Sequence, residues 1–325
     1  MTRSRIGVLP ALAAALLFAG CSIKKMAVNK IGDSMAASGT TFASDEDVEL
    51  IGDAVPFSLK LMESLLEVNP RHRGLLFATA SGFTQYAYAY VQQEADRLES
   101  EDLTRANAAR DRARRMYLRA RGYGIRGLET RHRSFGDSLR ANPRSAVQVA
   151  AVRDVPLLYW TAAAWGAAIS LAKDNPDLVA DQPQVEALID RALELDEAFD
   201  AGAIHSFLIS YEPSRQGAAG DPGARSRAHF DRAVALTNGL MAGPFVSLAE
   251  AVSVPAQDRK EFASLLQRAL AIDPDARTEW RLANLIMQRR ARWLLSRADE
   301  LFLDGPMDAG YQGALGIPLG PDFGR

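Results

Sequence analysis

The chain has 325 residues, of which 48% are hydrophobic, and carries 38 basic against 40 acidic residues, a net charge of −2 at pH 7. This length and apolar fraction allow one large domain or two, each with a substantial core. The near-neutral charge argues against nucleic acid as a partner. The chain has a single cysteine and so cannot form an internal disulfide.

The first residues have the pattern of a secretory signal. Arg3 and Arg5 precede an apolar run over 6–19, and the segment 17–21 (LFAGC) fits the bacterial lipobox, which ends at Cys21. The run of about fourteen residues is short for a membrane span, which needs about twenty. We expect residues 1–20 to be removed as a signal peptide. Cys21 then carries diacylglycerol and an N-acyl chain, with no other cofactor. The alternatives are a cleaved signal with a chance cysteine and an uncleaved anchor.

The residue after the cysteine bears on location. Ser22 stands there instead of aspartate, which in similar lipoproteins favours sorting to the outer membrane. We expect a periplasmic body held at the inner leaflet of the outer membrane through its lipid alone, with residues 21–45 as the tether. Because Cys21 is consumed by lipid, no thiol remains, and stability must come from packing.

Beyond the tether, alanine, leucine, arginine and glutamate dominate and no strand pattern is evident. This composition predicts an all-α domain over residues 46–303. Asn-Pro and Asp-Pro pairs separate the candidate helices, as in 69–70, 142–143 and 273–274. The predicted helices cover 47–67, 73–99, 102–120, 144–152, 155–173, 181–195, 200–211, 225–238, 244–252, 258–271 and 276–303.

Two predicted helices are rich in aromatic residues. In 81–93, Tyr86 and Tyr90 share a helical face while Tyr88 points the other way. The segment 155–172 has no charge and contains Trp160 and Trp165, so it should run through the middle of the fold. Core packing explains such residues. They also suit a cavity for a partly apolar small molecule, whose position their polar tips could fix. The sequence leaves both interpretations open.

Ten arginines lie between Arg105 and Arg133, directly after an acidic stretch at 94–102. One interpretation is two neighbouring helices whose exposed faces pair their charges. The other is a basic patch for an acidic protein or for lipid headgroups.

No catalytic or metal-binding pattern is evident. Residues 122–127 (GYGIRG) match the dinucleotide motif GxGxxG, but a charged helix precedes them instead of a strand, so we expect a glycine-rich link between helices. The four histidines are far apart and lack metal-ligand spacing. No serine, cysteine or phosphate-loop motif is present. We therefore predict that the protein is not an enzyme.

A repeat is visible in the second half of the chain. The segments 191–196, 232–237 and 268–274 share an Arg-Ala-aliphatic ending at offsets of 41 and 36 residues. Each resembles the close of a tetratricopeptide unit, in which the alanine allows tight helix packing. The spacing departs from the regular repeat, so we predict a degenerate tetratricopeptide-like solenoid of helical pairs. After residue 303, glycine and proline dominate, which predicts a flexible tail over 304–325.

Taken together, five segments resemble the T-component lipoproteins of TRAP (tripartite ATP-independent periplasmic) transporters. They are 30–36 (KIGDSMA), 54–63 (AVPFSLKLME), 81–94, 117–123 (YLRARGY) and 156–172.

The resemblance implies a periplasmic, tetratricopeptide-like homotrimer with a channel or cleft in each subunit. It further implies docking of the transporter's solute-binding protein and binding of a small hydrophobic ligand, for which the matching cavity residues are Tyr86, Tyr90, Trp160 and Trp165. The alternative is a scaffold lipoprotein for assembly of outer-membrane or envelope proteins.

Overall fold

A computed structural model of the chain describes residues 29–34 and 39–303. Every regular element within them is a helix, which confirms the all-α class. Two π-helical segments, Ala87–Gln92 and Ala249–Ser253, directly continue the α-helices that end at Tyr86 and Leu248. The α-helices beyond the helical residues 29–34 are α1 (Gly39–Ala43), α2 (Val48–Val68), α3 (Arg73–Tyr86), α4 (Gln93–Leu98), α5 (Leu103–Glu129), α6 (Phe135–Ala141), α7 (Pro143–Ala146), α8 (Val155–Ser170), α9 (Pro176–Val179), α10 (Gln182–Leu195), α11 (Phe199–Tyr211), α12 (Pro222–Thr237), α13 (Gly243–Leu248), α14 (Arg259–Leu270), α15 (Arg281–Ser296) and α16 (Ala298–Leu301).

Aspartates fix where several long helices begin. The side chain of Asp47 accepts the amide hydrogen of Leu50 at 2.9 Å, and Asp102 caps α5 in the same way. Asp221 and Asp258 cap α12 and α14. Such caps satisfy amides that the helix itself leaves unpaired. The observed starts at 48, 103 and 259 therefore lie within one residue of the predicted ones.

The glycine-rich link was predicted wrongly. Residues 122–127 lie inside α5, which runs unbroken from Leu103 to Glu129. A Cβ on Gly124 would stand 2.1 Å from the Thr161 hydroxyl oxygen, and one on Gly127 would stand 2.6 Å from Leu157. These glycines let α5 cross α8 at close range. The packing gained there outweighs the cost of about 1 kcal/mol that glycine carries inside a helix.

Other boundaries differ because local propensity does not decide them. Helix α6 (Phe135–Ala141) was not predicted, and the expected helix 144–152 is only the short α7 followed by a 3-10 turn. The expected helix 276–303 begins at Arg281. Helix α11 starts with a left-handed turn at Asp200, Ala201 and Gly202, all with positive φ.

The helices enclose two main apolar cores. The first holds α5, α8 and α10, with Tyr117, Leu158 and Leu188 fully buried. The second holds α13, α14 and α15, with Phe262 and Leu266 at its centre. The chain passes from the first core to the second through α11 and α12.

The alanine of each repeat ending is fully buried, as tight helix packing requires. These residues are Ala192 in α10, Ala233 in α12 and Ala269 in α14. Their burial fits the repeat, while the tetratricopeptide-like solenoid and the domain limits 46–303 stay predictions.

Several predictions concern residues outside those described. They are the signal peptide 1–20, the lipid on Cys21, residues 21–28 and 35–38 of the tether, and the tail 304–325. Among residues 29–34 and 39–303, no helix is long and apolar enough to cross a membrane.

Candidate functional site

The structure brings Tyr86 and Tyr90 together. Their rings stack with centroids 5.2 Å apart. The Tyr90 hydroxyl donates to the carbonyl oxygen of Val48 at 2.9 Å, and its ring lies against Gly52 of α2. Burial raises the pKa of Tyr90 to about 12. Tyr86 is half-buried beside Phe83, and its hydroxyl has no hydrogen-bond partner in the described part of the chain.

The two tryptophans of α8 also differ in whether the indole N–H has a hydrogen-bond partner. Trp165 is 3% exposed, its indole N–H donates to Asp181 at 3.1 Å, and the Arg121 guanidinium lies 4.6 Å from its ring centroid. Trp160 is half-buried and meets Tyr159 edge to face at 4.9 Å. Its indole N–H makes no hydrogen bond to any residue that the structure describes. Trp165 is thus a core residue with a satisfied polar tip.

The four aromatic candidates do not form one wall. Within residues 29–34 and 39–303, no ring contact joins the Tyr86–Tyr90 pair to either tryptophan. Two of the four, Tyr86 and Trp160, have a polar atom without a hydrogen-bond partner among the described residues. A surface pocket of about 530 Å³ lies elsewhere, beside His132 and Arg133, and none of the four lines it.

Sequence reasoning missed a buried charged joint between the two cores. The guanidinium of Arg290, from α15, binds Glu250 through two hydrogen bonds of 2.6 and 2.8 Å and Asp96 at 3.0 Å. Tyr88 lies beside it and donates to the sulfur of Met287 at 3.8 Å. Burial lowers the pKa of Arg290, but the two carboxylates outweigh that effect and raise it. Burial raises the pKa of Tyr88 to about 12.

This joint connects the two π-helical segments. Tyr88 belongs to the first segment and Glu250 to the second, and both face Arg290. π-helical turns are rare and are frequent at functional sites. Because Arg290 lies 40 and 194 positions from Glu250 and Asp96, no short-range sequence pattern could predict the contact.

A second buried carboxylate organises the end of α5. Asp154 is fully buried and pairs with Arg73 at 2.9 Å and with His132 at 3.0 Å. Burial alone would raise the pKa of Asp154. Hydrogen bonds from His132 and from the Ala151 amide, together with the charge of Arg73, hold it below its usual value.

Two histidines far apart in sequence form a pair. The Nδ1 atoms of His205 in α11 and His229 in α12 lie 2.9 Å apart, so one must donate and the other accept. Burial lowers the pKa of both below the usual 6.5. In the described ranges no cluster of three or more histidine, cysteine, aspartate or glutamate side chains could hold a metal ion.

Part of the arginine stretch pairs its charges within the chain. Arg110 pairs with Glu99 of the acidic stretch at 2.9 Å, which fits neighbouring helices that pair their charges. Arg119 pairs with Glu63 at 2.5 Å and Arg121 with Asp181 at 3.5 Å. By contrast, Arg131 and Arg133 are exposed and have no ion pair with any described residue.

Two comparisons with known proteins bear on the identity of the chain. An uncharacterized protein of Treponema pallidum (strain Nichols) is 28% identical over 312 residues, which make up 90% of this chain and 97% of that relative. The family described as TRAP transporter T-component matches residues 44–302, from just before α2 to just after α16. The chain therefore belongs to the TRAP transporter T-component family, the accessory components of TRAP transport systems.

Proposed function

We propose that this protein is a periplasmic lipoprotein, anchored through Cys21, that docks the solute-binding protein of a TRAP transporter and holds a small hydrophobic ligand. The family match over residues 44–302 carries the proposal, because it covers nearly the whole described body. The lipobox at 17–21 supports the anchor. No catalytic role is assigned to any residue.

The proposal of a bound ligand rests on two aromatic side chains whose polar groups have no hydrogen-bond partner in the described body. Tyr86 and Trp160 are half-buried, and their polar atoms have no partner in the described body. Such groups can orient a partly apolar molecule, since the ring supplies contact area and the tip a hydrogen bond. The polar atoms of Tyr90 and Trp165, by contrast, already donate to Val48 and Asp181.

Two matched variants test the ligand site. Ligand that copurifies with the lipoprotein is identified by mass spectrometry, and its binding is then measured for each variant. Tyr86→Phe removes a hydroxyl with no internal partner, so we expect weaker ligand binding at unchanged stability. Tyr90→Phe removes the bond to Val48, so we expect a loss of about 1 kcal/mol in stability with ligand binding retained. Unchanged binding by Tyr86→Phe would assign the stacked pair to packing alone.

Docking is tested by crosslinking the native lipoprotein in the periplasm and identifying the attached proteins. We expect the solute-binding protein of a TRAP transporter as the dominant partner. Envelope assembly proteins, without any solute-binding protein, would instead support the scaffold alternative.

We further propose a homotrimer whose contacts include an apolar stripe on α2. Leu50, Phe57 and Leu61 are 56%, 72% and 38% exposed and lie on one face of this helix. Exposed apolar surface of this kind marks interaction sites. Phe57→Asp is expected to lower the oligomer mass measured by light scattering, while Glu67→Ala, at an exposed site on the same helix, leaves it unchanged. A trimer that persists in Phe57→Asp would remove α2 from the interface.

A further inference from the structure

Five exposed arginines gather at one end of the molecule, which we call the basic end. Here α2 stops, α3 starts and α5 stops. The Arg71 guanidinium donates to the carbonyl oxygens of Glu129 and Thr130, and Arg126 donates to the carbonyl oxygen of Pro70 at 3.2 Å. The members of the basic end are Arg71, Arg126, Arg131, Arg133 and Arg153.

The positive charge of the basic end is not balanced within the described body. None of the five arginines has an ion pair there. Asp154 is buried with Arg73 and His132, and Glu129 accepts the amide hydrogen of Gly136 at 3.1 Å. The exposed carboxylates nearby, Asp33 and Glu67, are fewer than the five arginines. The chain as a whole carries −2. The excess of cations is therefore local and faces solvent.

The path of the chain toward Cys21 starts at this same end. The Asn69 side chain, at the end of α2, donates to the side-chain oxygen of Asn29 at 2.7 Å. Gly32 lies directly against Leu75 and His72 at the start of α3. Seven residues lie between Cys21 and Asn29, and the eight Cα-to-Cα steps that join the two residues span at most about 28 Å when fully extended. A lipid on Cys21 would hold the basic end within that distance of the membrane.

The other end of α5 offers a natural comparison. Arg105, Arg112 and Arg115 are also exposed and have no ion pair with any described residue. Arg105 precedes Arg126 by twenty-one residues of continuous helix, or about 31 Å at 1.5 Å per residue. This end has fewer unpaired arginines and lies beside the acidic stretch 94–102, and Asn29 contacts the basic end instead.

We propose that the basic end lies against anionic phospholipid headgroups, so that the lipid anchor and these arginines together fix the orientation of the body on the membrane. The inference rests on the proposed lipid attachment of Cys21. The several acyl chains on Cys21 would hold the protein at the membrane, since two or more chains give stable anchoring, and the arginines would set which end of the body faces the lipid. Anionic lipid attracts arginines near the surface within about a Debye length. Salt therefore weakens this contact.

The test measures how near each end lies to the lipid. The only native cysteine is Cys21, so an engineered cysteine in the lipoprotein can carry a dye at one site. Val152→Cys labels the basic end, where Val152 is 57% exposed. Ala108→Cys labels the opposite end of α5 at an exposed site. Energy transfer to headgroup-labelled lipid is recorded in vesicles of phosphatidylcholine, with and without phosphatidylglycerol.

We expect stronger transfer from position 152 than from position 108 when phosphatidylglycerol is present, and loss of that difference at high salt. Replacing Arg131, Arg133 and Arg153 by Gln should abolish the difference, while replacing Arg105, Arg112 and Arg115 by Gln should preserve it. Equal transfer from both sites, or no dependence on phosphatidylglycerol, overturns the proposal.

The proposal of a lipid anchor and the proposal that the basic end contacts lipid are contradicted by different results. Protein that does not float with phosphatidylcholine vesicles contradicts the lipid anchor. The same two labelled proteins, mixed with phosphatidylglycerol vesicles, then still report whether position 152 approaches the surface in a salt-sensitive manner. Absence of that approach overturns the basic end as a lipid contact, whatever the state of Cys21. Neither result bears on docking of a solute-binding protein.

Discussion

The helices within the two cores of the molecule are held against one another by different kinds of contact. In the first, α5 and α8 approach closely because Gly124 and Gly127 have no side chain at the crossing. In the second, α15 contributes long polar side chains: buried Asn284 accepts the Ala242 amide hydrogen at 2.8 Å and donates to the Leu240 carbonyl oxygen at 2.9 Å. Gln288 donates to the carbonyl oxygens of Ala269 and Ile272. The distance between neighbouring helices therefore depends on glycines without side chains in the first core, and on side-chain hydrogen bonds to backbone groups in the second.

The largest loss of stability is expected when the contact of Arg290 between the two cores is removed. Arg290→Met leaves the carboxylates of Glu250 and Asp96 without their partner in a mostly buried place. Removing one member of such a buried pair costs about 3–5 kcal/mol. We expect this loss in the free energy of unfolding, with separate transitions for the two cores in denaturant.

The control is the neighbouring Arg289→Met, whose partner Glu49 is largely exposed. We expect a change below about 0.5 kcal/mol there. A single transition in Arg290→Met, with a loss as small as that of the control, would show that the joint does not couple the cores.

A smaller effect is expected at the glycine crossing in the first core. Gly124→Ala places a Cβ against Thr161, whose hydroxyl is itself bonded to the Leu157 carbonyl oxygen. Overpacking of this kind costs about 1–3 kcal/mol. Gly122→Ala has open space around it and should stabilise α5 by up to about 1 kcal/mol through helix propensity. Urea denaturation of both variants measures the difference, and equal effects would contradict a tight crossing.

The smallest effect concerns pH and the histidine pair between α11 and α12. The folded state holds the pKa of His205 and His229 below 6.5, mainly through burial. The unfolded chain therefore binds protons first as pH falls, and the stability contributed by the neutral pair is lost below about pH 6.5. The neighbouring Glu197 and Glu212 oppose the shift without reversing it.

We expect the melting temperature to fall between pH 7.5 and pH 5, and to fall less in His229→Gln, since the variant cannot take up the second proton. His72→Gln is the control, because His72 lies at the start of α3, away from the pair. An unchanged pH slope in His229→Gln would assign the acid sensitivity to other groups.

Much of the architecture follows from local signals. The Asn-Pro and Asp-Pro breaks separated most of the predicted long helices, and the aspartate caps seen in the structure explain the observed starts, because both act within one helical turn. The aromatic helix 155–172 was expected at the centre, and Leu158 and Trp165 are indeed buried there. The ligand-cavity prediction for Tyr86, Tyr90, Trp160 and Trp165 is still a prediction, and the structure adds only which polar tips are free.

The sequence by itself determined the all-helical class, the family and the helix order, because composition, capping and periodicity act over a few residues. Only the tertiary structure decided that residues 122–127 form the part of α5 that crosses α8, since the same glycine pattern can occur in a loop or at a close contact between helices. It also decided the Arg290 joint, the His205–His229 pair and the gathering of arginines at one end. Each of these depends on residues brought together from distant segments, and side-chain chemistry at one position does not specify which distant partner it meets.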